Sequence, residues 1–120
     1  MGLTHVTVAL RNLAAEGMPY EDEFLVDTGV IDCLAPSNRL TEAGIKIEGN
    51  DVYELANGDL VEYPFGFARI LFMGAETVSK VIFGPNGCEP LLGVVALEST
   101  EIGVDPVTHS RRKMVAKPLK

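Results

Sequence analysis

The sequence lacks the features that typify several classes of protein. It has no apolar run of the roughly 18–20 residues that a membrane helix requires, and its most hydrophobic stretch, residues 65–73, is interrupted by Arg69. Basic residues are few, because 10 Lys and Arg stand against 17 Asp and Glu and give a net charge of -7. That charge has the wrong sign for a surface that neutralises phosphates. We therefore expect a soluble protein that binds neither membranes nor nucleic acid.

Cysteine and histidine are also scarce. Cys33 and Cys88 can form at most one disulfide, and a chain of 120 residues does not need one to fold. Together with His5 and His109 they make no close pair of the kind that typifies zinc sites. The N-terminus shows no basic signal region and no myristoylation motif. These observations predict a cytoplasmic protein with free thiols, no metal and no other cofactor.

Length and composition predict one domain that spans residues 1–120. Apolar residues make up 47% of the chain and charged residues 22%, which is close to the average of globular proteins and excludes a disordered chain. Charge is unevenly spread, since residues 110–120 hold five of the ten basic residues. This basic C-terminal tail is either a solvated chain end or a segment that lies against an acidic neighbouring subunit.

Short runs of alternating apolar and polar residues dominate the chain and predict a mainly β fold. These runs lie at residues 6–10, 20–26, 53–56, 59–62, 66–73, 77–83 and 104–107. Asn57-Gly58, between two of them, predicts a two-residue hairpin turn in which both residues are left-handed. Helices are predicted at residues 37–43 and 94–102, and each is followed by a glycine.

Asp27 is the residue that most requires an explanation. It directly follows Phe24-Leu25-Val26, and a carboxylate next to an apolar strand costs desolvation energy unless it is hydrogen-bonded or functional. Asp27-Thr28-Gly29 can also be a plain strand end with Asp27 exposed in a turn. Other nucleophiles are poorly supported. No Gly-x-Ser-x-Gly motif is present, and Cys33 stands among apolar residues, where a cysteine is usually a small core residue.

The order of the motifs resembles the retropepsins, the single-domain aspartic proteases of retroviruses and their bacterial and cellular relatives. An apolar strand precedes Asp27-Thr28-Gly29, a hairpin follows, and Leu91-Leu92-Gly93 opens a helix near the C-terminus. The likeness is carried by residues 24–38 and 81–103. The resemblance implies an all-β fold, a closed barrel with one short C-terminal helix, that is active as a homodimer.

The resemblance also implies an activity, hydrolysis of peptide bonds in polypeptide substrates. Asp27 of each subunit would meet its counterpart at the twofold axis, where the two carboxylates share one proton and activate a water molecule. Thr28 would hydrogen-bond to the backbone of the partner subunit and fix both loops. Gly29 would let the substrate backbone come close. Leu91-Leu92-Gly93 would pack beneath this catalytic loop.

Further residues are implied to bind substrate. The hairpin that carries Asn57 and Gly58 would be a flap that closes over the peptide, with Leu55 and Leu60 facing each other across it. The other implied substrate-binding residues are Val30, Asp32 and Leu91.

Two positions depart from the family pattern. Val30 stands where Ala or Ser is usual and narrows the adjacent subsite. Val94 stands where Arg is usual, so that Asp32 lacks its expected partner.

Two alternatives stay open. The chain can keep the fold as a catalytically inactive dimerisation or peptide-binding module, because fold does not imply function. It can also be an unrelated β-barrel in which Asp-Thr-Gly occurs by chance, and that alternative predicts a monomer.

Overall fold

The computed structural model describes residues 4–99 together with two short strands at residues 102–104 and 111–113. Within these residues the chain forms nine strands and two short helices. In chain order they are β1 (Thr4–Arg11), β2 (Tyr20–Val26), β3 (Cys33–Pro36), α1 (Ser37–Glu42), β4 (Gly49–Glu54), β5 (Leu60–Phe72), β6 (Ala75–Gly84), β7 (Leu91–Leu92), α2 (Val94–Ser99), β8 (Ile102–Val104) and β9 (Arg111–Lys113).

Six of the strands close into a barrel. Their order is β1-β2-β7-β3-β6-β5, and β5 pairs back onto β1 through residues 69–71 and 9–11. The β2–β7 and β3–β6 pairs are parallel, whereas the others in the barrel are antiparallel. β4 extends the sheet beyond the barrel by pairing with the first half of β5. β8 and β9 form a separate antiparallel pair.

Alternation along the strands fills the interior of this barrel. In β1, Val6, Val8 and Leu10 are buried, while the residues between them are exposed or half-buried. Phe24 in β2 is fully buried, which contributes about 1.5–3 kcal/mol relative to an exposed side chain. The largest fully buried side chains are Phe24, Leu10, Leu40, Ile70, Leu92, Val8, Val81 and Cys33. They come from positions between 8 and 92, so the core joins segments that are far apart in the sequence.

The predicted mostly β, closed-barrel architecture is confirmed. Both predicted helices are present, so the single helix that the resemblance implied is one too few. The second helix ends at Ser99 and not at residue 102, because residues 102–104 pair with β9 as a strand. The predicted strand at 104–107 accordingly begins at Ile102, and its residues 105–107 lie outside the described residues. Of the predicted basic tail, residue 110 and residues 114–120 lie outside them too.

The turn at Asn57-Gly58 differs from the sequence prediction. At the predicted turn, only Gly58 has a positive φ, 90°, and Asn57 is not left-handed. Gly58 N–H donates to Leu55 O at 2.9 Å and Leu55 N–H donates to Asp59 O at 2.8 Å, so three residues form the connection. The two-residue turn with both residues left-handed lies instead at Met73-Gly74, where φ is 51° and 76°. Asn-Gly can form a two-residue turn or the last two residues of a three-residue connection. The dipeptide Asn57-Gly58 alone therefore does not separate the two geometries.

Neither helix in the described ranges has the length and apolar character needed to cross a membrane.

Candidate active site

The loop that follows β2, residues 27–32, holds the predicted catalytic residues. Leu25 N–H donates to Pro90 O at 3.0 Å and Asp27 N–H donates to Leu92 O at 3.2 Å, which continues the parallel β2–β7 ladder by one residue. Asp27 is thus placed at the end of a strand pairing with a distant part of the chain. Its side chain is half-buried, and Oδ1 accepts a hydrogen bond from Gly29 N–H at 3.0 Å.

The start of α2 holds the second half of this loop. Val94 N–H donates to Val30 O at 2.9 Å, and Val95 N–H donates to Ile31 O at 3.2 Å. The first N–H groups of a helix have no partner within the helix. Here loop carbonyls accept from two of them, so the helix start and the loop stabilise each other.

Gly93 allows this close approach. A Cβ atom at position 93 would lie 2.6 Å from backbone atoms of Ile31 and Asp32, well inside contact distance. Its N–H points to Cys33 Sγ at 3.5 Å. Cys33 is 1% exposed, and burial raises the pKa of its thiol to about 11. Leu92-Gly93 therefore lies directly against the Asp27 loop, and Cys33 is a protonated core residue.

The remaining residues of the motif are more accessible. Thr28 and Gly29 are exposed and Val30 is half-buried. A Cβ atom at Gly29 would lie 3.3 Å from Asp27 Oδ1, so a larger residue there would crowd the carboxylate. Ile31, next in the loop, is 67% exposed and adds a large aliphatic side chain to the surface of the loop. The loop thus presents one carboxylate, with one oxygen already hydrogen-bonded, at an accessible and partly apolar surface.

Asp32 has a cationic partner that sequence reasoning missed. Val94 cannot supply one, but Lys80 Nζ on β6 lies 3.9 Å from Asp32 Oδ2. The same ammonium group donates a hydrogen bond to Asp51 on β4. The parallel β3–β6 pairing brings Asp32 and Lys80 side by side, since Cys33 pairs with Val81. Without that pairing, no local pattern in the sequence links the two residues.

The hairpin of β4 and β5 carries the other predicted substrate-binding residues. Leu60 pairs with Glu54, so the prediction that Leu55 and Leu60 face each other is wrong. The added residue in the turn shifts the register, and Leu55 pairs with Asp59 instead. Leu60 is 70% exposed and lies on the outer face of the hairpin with Val52. Leu55 is 44% exposed at the start of the turn.

The opposite, inner face of this hairpin is half-buried. It carries Asp51, Tyr53 and Tyr63, and the two tyrosine rings lie 6.3 Å apart. Burial raises the pKa of Tyr53, and the nearby Lys80 opposes that shift. Through Asp51 and Lys80 this inner face is connected to Asp32 and hence to the Asp27 loop.

The tip of the hairpin is held by its own residues. Asn57 Nδ2 donates to Asp59 Oδ2 at 3.0 Å, and Asp59 N–H donates to Asn57 Oδ1 at 3.0 Å. Asn57 and Gly58 are exposed. The structure therefore places these two predicted residues at an accessible tip and leaves Asp27 in a separate, firmly attached loop.

Leu91 lies on the outside of the barrel next to the loop. It pairs with Leu25 on β2 and with Leu34 on β3, and all three side chains are half-buried. Cross-strand partners share a face of the sheet, so they form a small apolar surface. Leu34 was not predicted as a site residue, because β3 and β7 are too short to show alternation and were not predicted as strands.

Other candidate sites offer less chemistry. In the part of the chain that the structure describes, no three His, Cys, Asp or Glu side chains are grouped so that they could hold a metal ion. A cavity of about 510 Å³ lies elsewhere, lined by residues that include Asn12, Leu13, Ile45 and Phe67. None of the predicted site residues lines it.

No protein-family model and no curated protein that was compared with the sequence matches it. Function is therefore inferred from the chemistry of the loop and the hairpin.

Proposed function

We propose that this protein is an aspartic endopeptidase of the retropepsin type that acts as a homodimer. The observation that carries the proposal is the attachment of Asp27. Backbone hydrogen bonds to Leu92 and from Val94 and Val95 hold the loop at both ends, and the carboxylate stays accessible between them. A simple connecting turn does not need such attachment to a segment more than sixty residues away. Each chain supplies one such carboxylate, so the proposed reaction requires two chains.

The proposed reaction uses the pair of Asp27 side chains as acid and base. Two carboxylates about 3 Å apart cannot both ionise, so they share one proton, as in aspartic proteases generally. The ionised member takes a proton from water while the water oxygen bonds to the scissile carbonyl carbon, and the protonated member donates its proton to the carbonyl oxygen. As the C–N bond of the tetrahedral intermediate breaks, the member that took the proton from water donates it to the amine nitrogen. The other member takes a proton from a hydroxyl of the intermediate, which forms the carboxylic acid product and restores the shared proton. Protein and substrate form no covalent bond.

Surfaces around the loop support a polypeptide substrate. The apolar patch of Leu25, Leu34 and Leu91 suits apolar side chains, and the inner face of the hairpin supplies Tyr53 and Tyr63 on another side. A closing hairpin would exclude water from the reaction. Both cysteines are free thiols, which supports action in the cytoplasm.

The test is cleavage of a diverse peptide pool between about pH 4 and 7 by the parent chain and by Asp27→Asn. We expect cleavage by the parent, background rates for Asp27→Asn, and a dimer for both by sedimentation. Glu21→Gln, which also removes one carboxylate but from an exposed position on β2, is the matched control and should cleave as the parent does.

Three results would contradict the proposal. Equal cleavage by Asp27→Asn and the parent would assign the activity to another group. A dimer that binds peptides without cleaving them would identify an inactive dimerisation or peptide-binding module. A monomer without activity would indicate an unrelated barrel with a chance Asp-Thr-Gly.

A further inference from the structure

Lys80 contacts both the loop and the hairpin through its charge. Its ammonium group lies 3.9 Å from the Asp32 carboxylate, at the end of the loop, and donates a hydrogen bond to Asp51 on the hairpin strand β4. The three side chains are 26% (Lys80), 16% (Asp32) and 39% (Asp51) exposed. This partial burial weakens the screening of their charges by solvent.

The root of the hairpin also packs against Lys80. Lys80 Nζ lies 4.3 Å from the centroid of the Phe65 ring, a distance typical of a cation–π contact. Phe65 in turn covers Gly49, the first residue of β4, where a Cβ atom would lie 2.9 Å from the ring. The hydrogen bond to Asp51 raises the pKa of Lys80, so the side chain is charged at every pH at which the proposed peptidase would act.

The charges around Lys80 do not cancel, because one cation faces two carboxylates. Removal of that cation would leave Asp32 and Asp51 uncompensated and repelling each other across the gap between loop and hairpin. The position of the hairpin relative to the Asp27 loop therefore depends on Lys80.

We propose that Lys80 is a positioning residue that holds the inner face of the β4–β5 hairpin onto the Asp27 loop. Its charged contacts are with Asp32 and Asp51, so it acts on the loop and the hairpin through these two carboxylates. Its role in peptide binding rests on the proposed function, whereas its hold on the hairpin does not.

The first test needs no enzymatic activity. Hydrogen exchange is measured for the amides of residues 49–54, 60–63 and 65 in the full chain and in Lys80→Met and Lys80→Arg. Lys46→Met, which removes one exposed lysine just before β4, is the matched control. We expect exchange on the order of tenfold faster in Lys80→Met, because a charged hydrogen bond is lost. Lys80→Arg and Lys46→Met should exchange near the parent rate. Equal exchange in Lys80→Met and the parent overturns the inference.

A second variant covers the case in which Lys80→Met fails to fold. Asp51→Asn removes the charge on the hairpin but leaves Lys80 with Asp32, so the loop keeps its partner. We expect faster exchange in the hairpin alone. Unchanged hairpin exchange in this variant also contradicts the inference.

The kinetic test separates a positioning role from a merely structural one. Loss of the hairpin's contribution to peptide binding raises KM, and loss of its exclusion of water lowers kcat as well. Lys80→Met should therefore raise KM on the order of tenfold together with any fall in kcat, and Lys80→Arg should restore both. A fall in kcat alone would instead indicate a loss of folded enzyme and overturn the positioning role. If the parent cleaves no peptide, the proposed function fails, and the exchange experiment still decides whether Lys80 holds the hairpin.

Discussion

The loop of Asp27 and the tip of the β4–β5 hairpin are held in opposite ways. The loop is hydrogen-bonded to Leu92, Val94 and Val95, far along the chain, and Gly93 fits against it without room for a side chain. The tip, residues 55–59, is closed by its own backbone and by the Asn57 and Asp59 side chains. Substitutions in the residues that support the loop should therefore affect the stability of the whole barrel. Substitutions at the tip should affect only the tip.

The largest effect should come from Gly93→Ala, which forces the loop away from its support. The new Cβ would lie 2.6 Å from the backbone of residues 31 and 32, and backbone atoms cannot move away by a change of rotamer as a side chain can. We expect the free energy of unfolding in denaturant to fall by about 3 kcal/mol. Exchange at residues 27–32 should rise while the hairpin tip is unchanged.

Gly17→Ala is the control for Gly93→Ala. Gly17 has a φ of +73°, but a Cβ atom added there would meet no other part of the chain within 4 Å, so the substitution adds only backbone strain. A loss of stability at Gly93 no larger than that at Gly17 would show that the loop is not tightly seated.

The next effect is a dependence of stability on alkaline pH. Burial raises the pKa of Cys33 from 9.0 to about 11, so the folded chain keeps a proton that the unfolded chain has lost. This contribution to stability is present below about pH 9 and is lost as pH rises to about 11. It amounts to roughly 2–3 kcal/mol, and the raised pKa values of Tyr20, Tyr53 and Cys88 act in the same direction.

Denaturant unfolding from about pH 8 to 11 would measure this loss. Cys33→Ala should be less stable at pH 8 but should lose less stability as the pH rises. Parallel curves for Cys33→Ala and the parent would show that the thiol beneath the loop does not titrate as described.

A smaller effect is expected at the tip, from Gly58→Ala. Gly58 has a φ of +90° and open space around it, so the penalty is conformational and about 1 kcal/mol. Exchange should quicken at residues 55–59 and stay unchanged at residues 27–32. Faster exchange in the Asp27 loop would show that the stability of the loop depends on the hairpin tip.

The smallest effect should follow from Asn57→Ala. It removes the two hydrogen bonds with Asp59, both exposed to water, and should lower the free energy of unfolding by about 0.5 kcal/mol. Thermal unfolding and exchange at the tip would measure it. A loss as large as that of Gly93→Ala would mean that the tip contributes to the core.

Features that depend on neighbouring residues were predictable from the sequence. Alternation along residues 6–10 and 20–26 placed two strands correctly, and the apolar end of β2 was enough to single out Asp27. The hairpin was also predicted, but its turn was not, because Asn57-Gly58 fits both a two-residue and a three-residue connection. The turn type shifted the register and so misplaced Leu60 relative to Leu55.

Most features that depend on distant residues were not predictable from local patterns, and the packing of Leu92-Gly93 against the Asp27 loop was implied only by the family resemblance. β7 has two residues and β3 has four, and such short strands show no period that a sequence pattern can reveal. The pairings of β3 bring Lys80 beside Asp32 and Leu34 beside Leu91. The family pattern places the partner of Asp32 at position 94, directly after Gly93, whereas the structure supplies it from Lys80 on β6.

The parallel pairing of β2 with β7 also has a consequence for the order of folding. The antiparallel pairs of β4 with β5 and of β5 with β6 join neighbouring segments, so their loops close at little entropic cost and they can form early. Leu25 and Leu91 are separated by more than half of the chain, which makes their contact slow to form. During synthesis, Asp27 leaves the ribosome long before the segment that positions it. We therefore expect the proposed catalytic loop to form late in folding, since the hydrogen bonds that hold it require residues 92–95 to pack against it.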